Sequence, residues 1–292
     1  MNVHSVHASH LSKAFGPKQV IRDLSFDVGP GDVVGVLGKN GAGKTTLLEL
    51  MLGFTQPSGG DIRVFEHPST DLPGSVKARV GFVPQQDELL EHLSVADQLS
   101  LIASFYPRWD EQLITRLSRE WGIDTRARIR NLSQGERQKL SILLAFGHRP
   151  DLLVLDEPVA SLDPLARRQF LEHLVEISTD GGRAVIFSSH IVSDIERLAN
   201  RIWILKEGQL DWQGDLDSLK ESVVRVHLRG SADALARVRL PRALNTRRQD
   251  QYRTAVVRDW SPAEHEALAA NAGVEVQVEP LALEEIFLEL HR

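Results

Sequence analysis

A glycine-rich loop between an apolar strand and a helix constrains the fold of this chain more than any other segment. Val33–Leu37 form a compact apolar run, Gly38, Gly41 and Gly43 follow, and a helical pattern begins at Lys44. Glycine allows the sharp backbone turns that so short a connection needs. A buried strand that leads directly into a helix is typical of parallel sheets covered by helices. We therefore predict an α/β fold around this segment.

The loop also has the composition of a phosphate-binding site. It matches the P-loop pattern G-x-x-x-x-G-K-[ST], with the preceding strand and following helix that the pattern requires. Inward-pointing N–H groups and the positive end of the helix would hold phosphate oxygens. Lys44 would reach the β- and γ-phosphates, and Thr45 would place its hydroxyl on Mg²⁺. The predicted nucleotide contacts in this loop are Gly38, Lys39, Asn40, Gly41, Ala42, Gly43, Lys44, Thr45 and Thr46.

Two adjacent carboxylates end a second apolar strand. Asp156 and Glu157 directly follow Leu152–Leu155. The carboxyl ends of parallel strands meet at the ligand-binding edge of a sheet, so we expect both acids near the loop. Asp156 suits the Mg²⁺ shell, through water, and Glu157 is placed to polarise the attacking water as a general base. Such a pair alone is more often a polar strand end, but beside a P-loop it predicts catalysis.

Strand and helix patterns alternate along residues 3–214. Strand-like stretches occupy residues 3–28 with a turn at Gly16 and Pro17, and later elements interleave up to a hairpin turn at Glu207 and Gly208. Residues 93–128 differ, because their apolar side chains recur at helical spacing. We predict that they belong to a helical insert.

A change of composition near residues 215–221 marks a second region. Strand patterns at residues 223–228, 253–257 and 274–278 alternate there with helical segments. We predict two domains: residues 1–215, with the helical insert at about 86–148, and residues 216–292, a small α+β accessory domain.

The remaining motifs occur in the order found in the ATP-binding cassette (ABC) family, which residues 3–214 resemble. Residues 132–136 (Leu-Ser-Gln-Gly-Glu) resemble the family's signature sequence, and Gln85 resembles its glutamine loop. Asp163 lies in a segment similar to the loop after the acidic strand, and His190 resembles the switch histidine. Phe15 resembles the aromatic residue that stacks on adenine.

This resemblance implies a P-loop NTPase core with a mixed sheet, an antiparallel N-terminal β-subdomain and a helical insert. It also implies that two copies share each ATP site. Ser133 and Gly135 of one copy would face the P-loop of the other, and Asp163 would reach across the interface. The implied catalytic residues are Glu157, His190 and Gln85, and the implied metal contacts are Thr45, Gln85 and Asp156. The implied cofactors are ATP and Mg²⁺.

The chain departs from the usual family pattern at four positions. Gln134 stands where glycine is most common, Glu136 where glutamine is most common, and Val159 where a small hydroxyl residue is common. Phe15 replaces the more usual tyrosine, which preserves stacking. None of these changes removes a group that the chemistry needs, so we expect an active ATPase.

Composition and charge limit the other possibilities. The formal net charge of −6 does not indicate a nucleic-acid binder. No run approaches the roughly 18 apolar residues of a membrane span, and the first residues lack a signal-peptide pattern. We expect a soluble cytoplasmic chain without direct membrane insertion, peripheral on the cytoplasmic face of the membrane. Its expected partners are a second copy, or a related ATPase in a pseudo-dimer, and separate transmembrane permease subunits.

Three functions are compatible with these motifs. The first is the ATPase subunit of a transporter, with export preferred over import because the chain's ending resembles that of subunits that pair with separate ABC-2-type export partners. The second is a soluble ABC ATPase of DNA maintenance or translation. The third is an inactive scaffold. The first function is favoured over the second by the compact insert and the single set of motifs. It is favoured over the third by the presence of Lys44, Asp156, Glu157 and His190.

Two further groups of residues have open interpretations. The aromatic cluster at residues 105–110 is either a packed turn of the insert or a docking surface for the membrane partner. His4, His7 and His10 recur every third residue. Because side chains alternate along a strand, this spacing would place His7 on the face opposite the other two, and solvent-exposed histidines are preferred over a metal site.

Overall fold

The described strands form three sheets in two structural units. The computed structural model describes residues 4–179, 182–271 and 273–291. These residues belong to a first unit, Met1–Gln213, and a second, Gly214–Arg292. Val3, where the predicted strand region begins, lies outside the described residues.

The first unit combines an antiparallel sheet with a mostly parallel one. Its strands are β1 (Val6–Phe15), β2 (Lys18–Val28), β3 (Val33–Leu37), β4 (Gly59–Val64), β5 (His67–Pro68), β6 (Val80–Val83), β7 (Leu152–Leu155), β8 (Ala184–Ser188), β9 (Arg201–Lys206) and β10 (Gln209–Asp215), which begins in this unit and ends at the first residues of the second. The antiparallel sheet has the order β2-β1-β4-β5, and the larger sheet has the order β10-β9-β3-β8-β7-β6. Strands β9, β3, β8, β7 and β6 run parallel. The predicted mixed architecture is confirmed.

The burial patterns of the strands differ between the two sheets. Every residue of β3, β7 and β8 is buried, as expected for parallel strands covered on both faces. Strand β2 instead buries alternate positions, among them Leu24, Phe26 and Val28, so one face meets the core. The core lies between the two sheets, where the rings of Phe26 and Trp203 have centroids 4.4 Å apart.

The helices of the first unit connect these strands and form the insert. They are α1 (Lys44–Met51), α2 (Gly74–Lys77), α3 (Val95–Ala103), α4 (Glu111–Glu120), α5 (Gln134–Phe146), α6 (Pro164–Thr179) and α7 (Val192–Leu198), with 3-10 turns at Ser69–Asp71 and Ile129–Asn131. Ser94 and Asp110 cap α3 and α4, because each side chain accepts a backbone N–H bond from the first helical turn. The predicted helical insert is confirmed.

The second unit is a four-stranded antiparallel sheet with helices. Its elements are α8 (Leu216–Ser222), β11 (Val224–Arg229), α9 (Ala232–Arg237), β12 (Ala243–Gln249), β13 (Tyr252–Val257), α10 (Pro262–Asn271), β14 (Glu275–Pro280) and α11 (Leu283–Leu290). The strand order is β12-β13-β11-β14. From β11 to β14 the succession is βαββαβ, as in ferredoxin-like domains.

Strand β12 corrects the sequence-based prediction of three strands in this unit. Residues 245–249 (Asn-Thr-Arg-Arg-Gln) are all polar, so they lack the apolar alternation that predicts a strand. The segment pairs with β13 alone, at the edge of the sheet. An edge strand can be polar, because one of its sides has no neighbouring strand.

Strand order places the predicted site at the carboxyl ends of the parallel strands in the larger sheet. Strand β8 lies between β3 and β7, with Val36 paired to Ser188 and Leu155 paired to Phe187. The residues that follow β3, β7 and β8 therefore emerge side by side. These are the glycine-rich loop, the two acids and the segment that carries His190.

Candidate active site

The glycine-rich loop folds around the amino group of Lys44. Gly41 and Gly43 have φ angles of 80° and 109°, in the region that favours glycine. A Cβ atom at Gly38 would lie 2.5 Å from the carbonyl oxygen of Leu205, so glycine is also needed there for space. Lys44 Nζ donates to the Gly38 carbonyl oxygen at 2.8 Å. Since only 8% of the Lys44 side chain is exposed, its charge is directed into the loop.

Ser188 connects the two acids at the end of β7. Its hydroxyl donates to Asp156 Oδ1 and accepts the backbone N–H of Glu157 at 2.8 Å. All three residues are buried. Glu157 has a φ angle of 49°, a left-handed conformation that few non-glycine residues adopt. The hydrogen bond from its N–H therefore holds an unfavourable backbone conformation in place.

The Glu157 carboxylate lies between two basic groups. Its Oε2 atom is 2.7 Å from His190 Nδ1 and accepts the His190 backbone N–H at 3.3 Å. Its Oε1 atom is 3.9 Å from Lys44 Nζ. His190 itself is half-exposed. Three residues that are distant in sequence are thus brought together, as the motifs predicted.

A cavity of about 480 Å³ lies against this cluster. The predicted residues that line it are Phe15, Asn40, Gly41, Gly43, Lys44, Thr45, Thr46, Gln85, Asp156 and Glu157. Lys18 and Val20 also line it and were not predicted. They begin β2 just after the turn that follows Phe15, so proximity to that turn was the available signal. Gly38, Lys39 and Ala42 belong to the loop without lining the cavity.

The residues of the signature segment lie outside this cavity. Ser133 caps the start of α5 and forms a capping box with Glu136. Gly135 lies close to the loop after β7, because a Cβ atom at Gly135 would be 3.2 Å from the Ser161 carbonyl oxygen. Asp163 caps α6 by accepting the N–H groups of two following residues, Leu165 and Ala166. Ser133, Gly135 and Asp163 are not among the residues that line the cavity.

Arg137, on the first turns of α5, connects the signature helix to the segment after Gln85. Its guanidinium donates to both carboxylate oxygens of Asp87, with the shortest bond 2.7 Å long, and to Glu91 Oε1 at 3.0 Å. The hydrogen bonds from Arg137 lower the pKa of Asp87, and the bonds to Asp87 raise that of Arg137. This pair is a contact between α5 and the segment after Gln85 that the motifs did not reveal.

The oxygen donors around the cavity suit Mg²⁺. Thr45, Gln85 and Asp156 offer a hydroxyl, an amide oxygen and a carboxylate, which are ligand types that this ion prefers. Asp156 is 2% exposed, and its Oδ1 atom accepts a hydrogen bond from the Ser188 hydroxyl. The residues present therefore fit the ion.

Two aromatic side chains of the cluster pack within the insert. Tyr106 stacks on His148 with ring centroids 4.0 Å apart, and burial raises its pKa. Trp109 lies against Gly147, where an added Cβ atom would be 2.3 Å from the indole ring. Phe105 differs from these neighbours, because 70% of it is exposed. These contacts support the packed-turn interpretation for Tyr106 and Trp109.

The predicted orientation of His7 is wrong. His4 and His7 both approach Asp27, with Nδ1–Oδ1 distances of 3.5 Å and 2.6 Å. His10 instead pairs with Asp23 at 2.7 Å. The strand begins after His4, so regular alternation does not extend to that residue. Among the described residues, no group of three or more histidine or acidic side chains could hold a metal ion.

Comparison with known proteins identifies the family of this chain. The ABC transporter family matches residues 21–160. The Nod factor export ATP-binding protein I of Burkholderia thailandensis is 31% identical over 299 residues, which cover 99% of this chain and 98% of that protein. The chain belongs to the ABC transporter family of ATP-binding subunits. It is therefore an ATP-hydrolysing subunit, and ATP is its nucleotide.

Solved structures of ABC subunits share the fold. An ATP-binding subunit of an ABC transporter is 30% identical, with a TM-score of 0.68 over 74% of this chain and 92% of that one. The ATP-binding cassette MJ0796, in a dimeric post-hydrolysis state with ADP and Pi, is 20% identical, with a TM-score of 0.64 over 72% of this chain and 98% of that one. No helix in the described part of this ABC subunit is long and apolar enough to cross a membrane.

Proposed function

We propose that two copies of this chain close around two MgATP and drive export through separate membrane subunits. The observation that carries the proposal is the separation of Ser133 and Gly135 from their own cavity. The start of α5 presents N–H groups and a positive dipole end, which suit a phosphate. A second copy would bring the start of its own α5 to the cavity from outside.

The comparisons support the dimer and the direction of transport. MJ0796 is described as a dimeric cassette, and a relative aligned over 98% of its own length is named for export of Nod factor. A homodimer is the simplest assembly, and a related ATPase could replace one copy. The membrane subunits would be separate chains, which would hold this subunit on the cytoplasmic face of the membrane.

The residues around the cavity have distinct roles in this mechanism. Lys44 and the loop N–H groups would bind the phosphates, and Phe15 would stack on adenine. Thr45, Gln85 and Asp156 would hold Mg²⁺, which neutralises charge on the phosphate oxygens. The other loop residues that we expect to contact the nucleotide are Gly38, Lys39, Asn40, Gly41, Ala42, Gly43 and Thr46, of which Gly38, Lys39 and Ala42 lie outside the cavity lining.

Hydrolysis would begin with the removal of a proton from water by Glu157. His190 holds Glu157 Oε2, which leaves the Oε1 atom available on the side of Lys44. His190 would also contact the γ-phosphate. Ser133, Gly135 and Asp163 of the second copy would complete the site, so that phosphate release would allow the dimer to open.

Membrane subunits would dock on the helical insert, in this proposal. In the aromatic cluster, the exposed ring of Phe105 is available for such a contact, beside the exposed residues Pro107 and Arg108. Arg137 joins α5 to Asp87, two residues after Gln85, so this ion pair would help to transmit a change at the nucleotide to the docking surface.

The Glu157→Gln variant tests the shared site. The substitution retains the binding groups and removes the base, so the variant should be monomeric without nucleotide, dimeric with MgATP, and inactive in hydrolysis. Size exclusion with and without MgATP measures the change. Adding Ser133→Arg should abolish the dimer and preserve ATP binding by the monomer. A variant that hydrolyses ATP at the parental rate, or that binds ATP less tightly after Ser133→Arg, would contradict the assigned roles.

A further inference from the structure

In the signature segment, a carboxylate already accepts hydrogen bonds from the groups that would bind phosphate. Glu136 Oε2 accepts the Ser133 hydroxyl at 2.7 Å and the Ser133 backbone N–H at 2.8 Å. In return, Ser133 Oγ accepts the Glu136 N–H at 3.3 Å. The hydroxyl that would face the γ-phosphate of the second copy's ATP therefore donates to an internal anion.

Glu136 is negatively charged at neutral pH. The Ser133 hydrogen bonds lower the pKa of Glu136, and Lys139 contributes further in the same direction. An anion near the start of a helix is favourable in itself, because it compensates the positive end of the helix dipole. The same compensation weakens the attraction of α5 for a second anion, such as a phosphate.

We propose that Glu136 competes with the γ-phosphate at the signature of the shared site, and so sets the ATP concentration at which the two copies close. The inference rests on the shared site proposed above. Closure requires that the carboxylate release the Ser133 hydroxyl and tolerate a like charge bound to that hydroxyl. Glutamine can form the same capping box without the charge, so the difference between Glu and Gln isolates the electrostatic contribution.

The experiment compares Glu136→Gln with its parent in the Glu157→Gln background. The MgATP concentration for half-maximal dimerisation should fall about tenfold, in the range expected for one charge at a partly buried helix end. ATP affinity of the monomer should not change, because Glu136 does not line the cavity. The difference should shrink at high salt, where charges are screened.

Two control variants separate charge from capping. Glu136→Asp keeps the charge, and the same chain shows that Ser and Asp can form this box, because Ser94 Oγ donates to Asp97 Oδ2 at 2.6 Å. Its dimerisation midpoint should remain near that of the parent. Glu264→Gln removes an equal charge from a second Ser-x-x-Glu box, where Glu264 Oε2 accepts the N–H of Ser261 at 3.0 Å. It should leave the midpoint unchanged.

Each outcome decides between the shared site and the role of Glu136. A dimer that forms with MgATP at the same midpoint in Glu136→Gln and in the parent overturns the role of Glu136 and leaves the shared site intact. An equal shift of the dimerisation midpoint in Glu264→Gln would show that net charge causes the effect, and would also overturn the role of Glu136. The absence of any MgATP-dependent dimer in the Glu157→Gln parent overturns the shared site and this inference together.

Discussion

Replacing Ser188 by alanine tests how the two acids of the site are positioned. The substitution removes a hydrogen bond to the Asp156 carboxylate and leaves the Glu157 N–H without its acceptor. A hydrogen bond to a charged group contributes about 1.5–3 kcal/mol, and an unsatisfied buried donor costs about 1–3 kcal/mol. Since Ser188 is fully buried, water cannot easily replace the hydroxyl. We expect a loss of about 3–5 kcal/mol of unfolding free energy.

The same change should impair hydrolysis more than nucleotide binding. The left-handed conformation of Glu157 costs about 1–2 kcal/mol and would relax once its N–H bond is lost. A displacement of about 1 Å at a reacting group can reduce the rate about a hundredfold. Thermal unfolding should show a decrease of roughly 10 °C in Tm, and steady-state kinetics a fall in kcat of between ten- and a hundredfold. ATP affinity should be nearly unchanged, because the Lys44 loop is intact.

Ser189→Ala is the matched control. Ser189 is also buried, but its hydroxyl accepts the N–H of Ile191 at 3.0 Å and contacts neither acid in the described hydrogen bonds. We expect this control to lose about 1 kcal/mol of unfolding free energy. Its kcat should stay within about twofold of the parent value, which corresponds to a change of less than about 0.4 kcal/mol in the activation free energy. If Ser188→Ala and Ser189→Ala gave the same Tm and the same kcat, the proposed positioning by Ser188 would be refuted.

Two further variants test the charges in and near the site. Lys44→Ala should weaken ATP binding about 10- to 100-fold in a direct titration, because a buried cation that faces the phosphates is lost; the exposed-lysine control Lys77→Ala should bind ATP like the parent. Asp87→Asn should lower the free energy of unfolding, and thermal unfolding at a series of pH values should show where this loss occurs. Because Arg137 lowers the folded-state pKa of Asp87, the stabilisation is present above the ordinary aspartate pKa of about 3.9 and is lost as the pH falls through the lower folded-state value. A parent–variant difference that grows on acidification would contradict this pairing.

Motifs of contiguous residues were predictable, because their chemistry depends on neighbours in the chain. A strand, a glycine-rich turn and a helix start are each specified within a few residues, so Val33–Leu37 and Lys44 indicated a phosphate-binding loop. The apolar run before Asp156 and Glu157 likewise indicated a buried strand that ends in acids. Helical spacing also predicted the insert, and the family resemblance implied the mixed sheet; both are confirmed.

Tertiary structure alone decided which residues outside the motifs contact the site. Ser188 binds both acids because β8 lies between β3 and β7 in parallel register, and no local pattern distinguishes it from Ser189. Strand β12 was missed because its polar residues are stabilised by pairing with β13, a contact that is absent from local composition. Sequence therefore determined the chemical groups and their local conformations. Strand pairing, which joins segments far apart in the chain, determined their distances and partners.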